Sequence, residues 1–240
     1  MRSVRILLLL AVCLLLGAPA RADELPSWRE TPVRSALLAW LADVTREGGP
    51  DYIPPAERIA VFDNDGTSAC ERPHGGSSAF QKDLLRTFVA EGRADGADPV
   101  LAAWLADDRD ALKAVGWTEA YARMNAAFAG MEMGAYRDSA WAWVARNPHE
   151  RFGVPVDRLY YAPMIELKDL LEAHGFQVWI VTASTQEYIR AVAPAGFGIA
   201  PGRVIGTWTA GEYGVEDGRS VLRRGAEQHN NGYENKPGSI

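Results

Sequence analysis

The sequence predicts an α/β protein with a doubly wound parallel sheet and a block of helices inserted after its first strand. Two short, almost continuously apolar runs, residues 58–62 and 178–181, have the pattern of strands that a parallel sheet buries on both faces. Between them, residues 77–147 show helical periodicity with no strand pattern. After that block, helix and strand patterns alternate again, which is typical of α/β folds.

Local signals predict the ends of two helices that flank these strands. Thr31 followed by Pro32 is the pattern of an N-cap and a first helical residue, and this helix is predicted to end at the glycine pair 48–49. A second amphipathic helix is predicted over residues 163–174, where Gly175 closes it.

The C-terminal third carries further helix and strand signals. Ser184, with Glu187 three residues later, fits a capping box that opens a helix. Residues 204–208 are a third strand candidate, and Asp217-Gly218 between apolar flanks predicts a hairpin turn.

The N-terminus has the features of a secretory signal peptide. Arg2 and Arg5 precede an apolar run of eleven residues, 6–16, and the small-residue site Ala20-Arg21-Ala22 follows. A membrane anchor would need about 20 apolar residues. We therefore expect residues 1–22 to direct secretion, in a bacterial cell to the periplasm, without a stable membrane anchor.

Composition excludes some functions. The 240 residues are 48% apolar and carry a net charge of −6, with no run of like charges, which argues against a nucleic-acid-binding surface. Cys13 belongs to the predicted signal peptide, so Cys70 has no partner for an intramolecular disulfide in the mature chain. Chemistry on a small molecule remains open.

The strongest chemical signal follows the first predicted strand. Residues 63–67, Asp-Asn-Asp-Gly-Thr, begin where that strand ends, and ligands of doubly wound sheets bind at the carboxyl ends of the strands. Asp63 and Asp65, two residues apart on extended backbone, project to the same side, so one can attack while the other handles a proton. The alternatives are an acidic turn or a calcium loop, but an EF-hand needs glycine at its sixth position, where this chain has Ser68.

This segment resembles motif I of the haloacid dehalogenase (HAD) superfamily, in its Asp-x-Asp phosphatase form. The resemblance implies a Rossmann-like core and a phosphohydrolase acting through an aspartyl-phosphate, with Asp63 as nucleophile and Asp65 as general acid and base. Members with dehalogenase chemistry lack the second aspartate, so Asp65 argues against dehalogenation.

Two later segments resemble the next motifs of this superfamily. Residues 180–184 are similar to motif II, which implies that Thr182 binds the phosphoryl group; Ser184 is a rival by residue type, and both residues could instead cap a helix. Residues 234–237 are similar to motif III, which implies that Lys236 neutralises the phosphate and the attacking carboxylate.

Residues 160–240 resemble a secreted branch of the superfamily related to phosphoserine phosphatase. In that branch motif I is followed by Leu-Trp and a Glu-Gln-Pro-like triplet. Here residues 68–70 are Ser-Ala-Cys, a departure, whereas Glu71 of Glu-Arg-Pro matches. Glu71 is therefore a candidate substrate-pocket residue, with an exposed, solvated glutamate as the alternative.

The resemblance also implies a domain division and a cofactor. Residues 23–73 and 156–240 form the expected core, and residues 74–155 the helical cap. Mg²⁺ is expected on Asp63, on the backbone carbonyl of Asp65 and on an acidic residue of motif IV. Four residues follow Lys236 and none is acidic, so we expect a chain truncated before motif IV.

Two functions follow as hypotheses. The first is a Mg²⁺-dependent phosphatase acting on a small phosphorylated metabolite. The second is a catalytically incompetent HAD-like fragment that at most binds phosphate-like anions.

Overall fold

A computed structural model of the protein describes residues 24–73 and 75–240. The predicted signal peptide, residues 1–22, lies outside these ranges. Within them, no helix combines the length and the apolar character needed to cross a lipid bilayer.

The helices and strands alternate as expected of an α/β chain. In chain order they are α1 (Pro32–Thr45), β1 (Ile59–Phe62), α2 (Gly76–Ala90), α3 (Pro99–Ala106), α4 (Arg109–Val115), α5 (Trp117–Ala126), α6 (Met133–Arg146), α7 (Ala162–Ala173), β2 (Gln177–Thr185), α8 (Gln186–Gly196), β3 (Val204–Glu216) and β4 (Arg219–His229). Short 3-10 turns connect several of them.

The four described strands form one sheet in the order β1-β2-β3-β4. β1 pairs with β2 and β2 with β3 in parallel, whereas β3 and β4 are antiparallel. The α/β class is confirmed, although the sheet is mixed rather than purely parallel. The antiparallel pair arises from Asp217 and Gly218, whose φ angles of 50° and 77° give the two-residue turn that a hairpin favours.

The prediction that β1 is buried on both faces is wrong. Ile59 and Val61 are 52% and 40% exposed, whereas Phe62, on the opposite face, is buried against Phe197. β1 lies at the sheet edge, and because side chains alternate between faces, Ala60 and Phe62 face the buried cluster whereas Ile59 and Val61 do not.

Helix α1 begins with a side-chain cap, whereas α8 does not. Thr31 caps α1 as predicted, accepting a hydrogen bond from the Arg34 N–H. The predicted capping box at Ser184 is wrong: Ser184 is still in β2, and α8 starts after Thr185 without a side-chain cap. The Ser184 hydroxyl instead bonds to the carboxylate of Asp65.

Helices α2 to α6 lie between β1 and β2 along the chain, and the β3–β4 hairpin reaches them. The Gly130 N–H donates to the Arg224 carbonyl at 2.7 Å, and the Arg224 N–H donates to Met131 at 2.9 Å. The buried Arg224 guanidinium lies 4.0 Å from the ring centroid of Tyr136. A continuous cluster of buried apolar side chains joins this block to the sheet. The division into a core and a cap at the predicted boundaries stays a prediction.

Candidate active site

The loop after β1 is a tight turn that presents two carboxylates. The Asn64 carbonyl accepts hydrogen bonds from the backbone N–H groups of residues 67–69, at 2.9 to 3.3 Å. Gly66 has φ of +72°, a left-handed conformation that glycine adopts without strain. The turn holds Asp63 and Asp65 at the end of the strand, where the sequence predicts them.

Buried hydrogen bonds hold this loop in place. The Tyr160 hydroxyl donates to Asn64 Oδ1 at 3.0 Å, and the Tyr160 ring stacks on Phe197 with centroids 5.2 Å apart. The Ser68 hydroxyl, fully buried, donates to the Asp63 carbonyl at 2.7 Å. Sequence reasoning missed Asn64 and Tyr160, because no local pattern indicates which buried polar side chain meets a distant loop.

Lys236 lies against Asp63, as the order of the motifs implied. Lys236 Nζ is 2.9 Å from Asp63 Oδ1, and the Asn64 N–H also donates to Oδ1 at 2.8 Å. None of the described residues donates to Oδ2, so this oxygen is free to approach a ligand. The Asp63 side chain is 42% exposed.

Asp65 is more enclosed than Asp63. The Ser184 hydroxyl donates to Asp65 Oδ2 at 2.6 Å, and Asn64 Nδ2 donates to Oδ1 at 3.3 Å. Burial raises the pKa of Asp65 above the usual value of an aspartate, and the negative charges of Asp63 and Glu71 raise it further. The two hydrogen bonds lower this pKa but do not offset burial. Asp65 therefore holds its proton to a higher pH than an exposed carboxyl group.

The segment that carries Lys236 contacts Thr182 of β2 and Thr207 of β3. Thr182 is buried, and its hydroxyl oxygen accepts from the Ser184 N–H at 3.1 Å. Asn231 donates from its side chain to the Thr182 carbonyl at 3.0 Å and from its backbone to Thr207 Oγ1 at 3.1 Å. Asn231 thus ties the C-terminal segment to the sheet and brings Lys236 to the site. No local sequence pattern indicates this role of Asn231.

Glu71 also reaches the site. A Cβ atom added to Gly66 would lie 3.0 Å from the Glu71 carboxyl carbon, so this carboxylate packs over the turn. The Glu71 side chain is 43% exposed and lies 3.6 Å from the neighbouring Arg72 guanidinium.

A cavity of about 980 Å³ contains all the predicted site residues. It extends from the strand ends to the helices α2 to α5, and its volume is at the upper end of the range for small-molecule sites. The predicted residues on its wall are Asp63, Asp65, Glu71, Thr182 and Lys236.

The oxygen atoms around Asp63 and Asp65 suit a hard divalent cation only in part. Across residues 24–73 and 75–240, no group of three or more acidic, His or Cys residues is arranged to hold a metal. Mg²⁺, however, is commonly held by one or two carboxylates together with substrate phosphate and water. The Asp63 carboxylate is one such group, beside Asp65, which fits Mg²⁺ bound together with a phosphorylated substrate.

The fold places a pair of aspartates at the end of the first strand, with Asp63 as the candidate nucleophile. Residues 60–236 match the family of haloacid dehalogenase-like hydrolases. The match covers most of the chain, which therefore belongs to this family.

Two solved structures are similar to this chain. The first is described as a conserved functionally unknown protein from Anaerococcus prevotii DSM 20548: it is 16% identical, with 79% of this chain and 70% of that one covered, and a TM-score of 0.47. The second is a protein with unknown function from Bordetella pertussis Tohama I: it is 21% identical, with 72% and 66% covered, and a TM-score of 0.43. The comparison with curated proteins found no significant match.

Proposed function

We propose that this hydrolase cleaves small phosphomonoesters through an aspartyl-phosphate, with Mg²⁺ as cofactor. The observation that carries the proposal is the pairing of Asp63 with Lys236 beside the enclosed Asp65. The charge of the Asp63 carboxylate is compensated by Lys236, and its Oδ2 is free of donors within the described chain. Asp65 tends to keep its proton because its pKa is raised. Nucleophilic attack and leaving-group protonation need this division of roles.

In the first step Asp63 Oδ2 attacks phosphorus in line with the leaving oxygen. The bond from phosphorus to that oxygen breaks, and Asp65 gives it a proton, so an alcohol leaves. The Lys236 ammonium lies where it balances the charge of Asp63 and of the phosphoryl oxygens. Thr182 is the proposed hydrogen-bond donor to the phosphoryl group.

In the second step water releases the phosphate. The Asp65 carboxylate takes a proton from the water as its oxygen attacks phosphorus, and Asp63 leaves as a free carboxylate. Asp65 is then protonated for the next cycle. The Asp63 carboxylate and the backbone carbonyl of Asp65 would hold Mg²⁺, which would supply positive charge to offset that of the phosphate.

Release of inorganic phosphate tests the proposal. The purified protein is incubated with small phosphomonoesters and Mg²⁺, alongside Asp63→Asn and the control Asp51→Asn, which changes an exposed aspartate in the turn before β1. We expect release by the native protein and the control, loss of at least about 10³-fold in Asp63→Asn, and loss on chelation of Mg²⁺. Equal rates in both variants would disprove a nucleophilic role for Asp63.

The second hypothesis, phosphate binding without turnover, is supported by one observation. No third acidic residue of the described chain joins Asp63 and Asp65 in a metal-holding group. The same experiment separates the two: calorimetric binding of inorganic phosphate without release from any phosphomonoester supports the binding protein. For either function, we propose export directed by residues 1–22.

A further inference from the structure

The cavity continues well beyond the carboxylates, and one face of α5 lines the extension. Trp117, Tyr121 and Asn125 are spaced four residues apart, so they share a helix face, and all three line the cavity. Ala120 and Met124, at neighbouring positions of α5, are buried in the core. The helix therefore offers a cavity wall that is aromatic at one end and an amide at the other.

The amide end of this wall contacts the C-terminal strand that leads to Lys236. Gln228 Oε1 accepts a hydrogen bond from Asn125 Nδ2 at 2.5 Å. Gln228 precedes Asn230 and Asn231, which belong to the segment that places Lys236. The aromatic end lines the same cavity as the carboxylates, so a phosphomonoester held at Asp63 can extend its leaving group toward Trp117 and Tyr121.

The aromatic end presents flat apolar surface to the cavity. Trp117 is 39% exposed, and its ring centroid lies 6.4 Å from that of Tyr121. Tyr121 is held by Trp104, with centroids 4.9 Å apart, and by a hydrogen bond of 3.0 Å between its hydroxyl and Ser78. The Arg109 guanidinium, 5.5 Å from the Trp117 centroid, supports the indole. These rings are fixed by their neighbours and leave a surface on which a planar group can stack.

The amide of the α5 wall is already occupied, so this wall offers stacking area rather than hydrogen bonds. Both amide atoms of Asn125 are engaged in hydrogen bonds. Its Oδ1 accepts from Gln81 and Arg224. Its Nδ2 donates to Gln228 and to the Tyr121 carbonyl. A sugar needs a partner for each hydroxyl, whereas a flat ring needs stacking area and few hydrogen bonds.

We propose that the natural leaving group carries a planar aromatic ring, as in a nucleoside monophosphate, and that Trp117 and Tyr121 bind it by stacking. This inference rests on the proposed phosphatase function. It assigns Trp117 a role in specificity and leaves the bond-breaking steps to the residues at the strand ends.

A matched pair of substrates tests the inference. Adenosine 5′-monophosphate and ribose 5-phosphate carry the same phosphate on the same sugar and differ in the base. We expect kcat/KM for the nucleotide to exceed that for the sugar phosphate by roughly tenfold or more, the size of a base-stacking contribution. Equal values would overturn the inference while leaving the phosphatase proposal intact.

Variants of Trp117 test whether this residue causes the preference for the nucleotide. Trp117→Ala should lower kcat/KM for the nucleotide roughly tenfold and leave ribose 5-phosphate unchanged, and Trp117→Phe, which keeps a ring, should retain most of the preference. The control Trp141→Ala changes a tryptophan of α6 that is 44% exposed and does not line the cavity, and should alter neither value. Equal losses for both substrates in Trp117→Ala would contradict a stacking role.

Binding separates failure of this inference from failure of the proposed function. Calorimetry on Asp63→Asn compares the Kd values of the two compounds without turnover. If the nucleotide binds more tightly and Trp117→Ala abolishes the difference, stacking on Trp117 and Tyr121 is supported, even if the native protein releases no phosphate. Equal Kd values would overturn the stacking proposal, whether or not the native protein hydrolyses either compound.

Discussion

Lys236 Nζ lies 2.9 Å from Asp63 Oδ1, which joins two residues near opposite ends of the segment that matches the hydrolase family. Both side chains are partly exposed, at 25% and 42%. Exposed ion pairs add little to stability, typically about 0 to 1 kcal/mol. The main effect of this pair is therefore electrostatic, at the atom that we propose as the nucleophile.

Lys236→Met should reduce activity much more than stability. Removing the ammonium leaves the charges of Asp63 and the phosphate uncompensated, so we expect kcat/KM to fall by about 10² to 10³ with little change in Tm. Lys236→Arg should recover part of the loss. Lys113→Met, at an exposed position of α4, is the control and should behave as the native protein. A large drop in Tm for Lys236→Met would instead indicate a structural role.

Asp65→Asn should stabilise the protein at neutral pH while removing activity. Burial raises the pKa of Asp65 in the folded state, so the folded protein binds this proton more tightly than the unfolded chain. Stability is then lost as pH rises from the ordinary carboxyl pKa through the raised one, and an amide avoids that loss. Tm measured from pH 4 to pH 8 should show the variant gaining on the native protein as pH rises. A constant difference would contradict a raised pKa.

Tyr160→Phe should weaken the loop that carries both aspartates. The change removes the hydroxyl that donates to Asn64 Oδ1, and this buried oxygen then loses a partner, at a cost of about 1 to 3 kcal/mol in unfolding free energy. Denaturant unfolding measures the loss. Tyr213→Phe, at a position 71% exposed in the hairpin, should change stability by less than about 0.5 kcal/mol. Similar values for the two variants would show that the Asn64 contact is not important.

Gly66→Ala should impair folding stability and activity together. The residue has φ of +72°, which costs an L-residue about 1 to 2 kcal/mol, and its new methyl group would push the Glu71 carboxylate away. Gly134→Ala is a matched control in α6, where a Cβ meets nothing within 4 Å, and should be neutral or stabilising. Denaturant unfolding and phosphate release together check this; unchanged activity in Gly66→Ala would show that the turn geometry is not critical.

Local patterns predicted the elements whose signals lie within a few residues. Thr31 with Pro32 predicted the start of α1, and Asp217-Gly218 predicted the hairpin, because caps and turns depend on immediate neighbours. The exposure of Ile59 could not be predicted, because an apolar run does not show whether its strand lies at the centre or the edge of a sheet.

Sequence motifs indicate the charged residues of the candidate site, but not the residues that hold them in place. Asp63, Asp65 and Lys236 stand at recognisable motifs, whereas Asn231 and Tyr160 act through contacts with residues far away in the chain. The role of Ser184 was misread because its spacing from Glu187 fits a cap, and the length of β2 decides otherwise.

Trapping the covalent intermediate tests the central claim most directly. The native protein is mixed with a phosphomonoester and Mg²⁺, quenched in acid within the first turnover and digested, and the peptide containing residues 59–72 is examined by mass spectrometry. The account predicts a phosphoryl group on Asp63 that appears before phosphate release is complete and is absent in Asp63→Asn. Phosphate release with no phosphoryl group on that peptide, at any quench time, would contradict it.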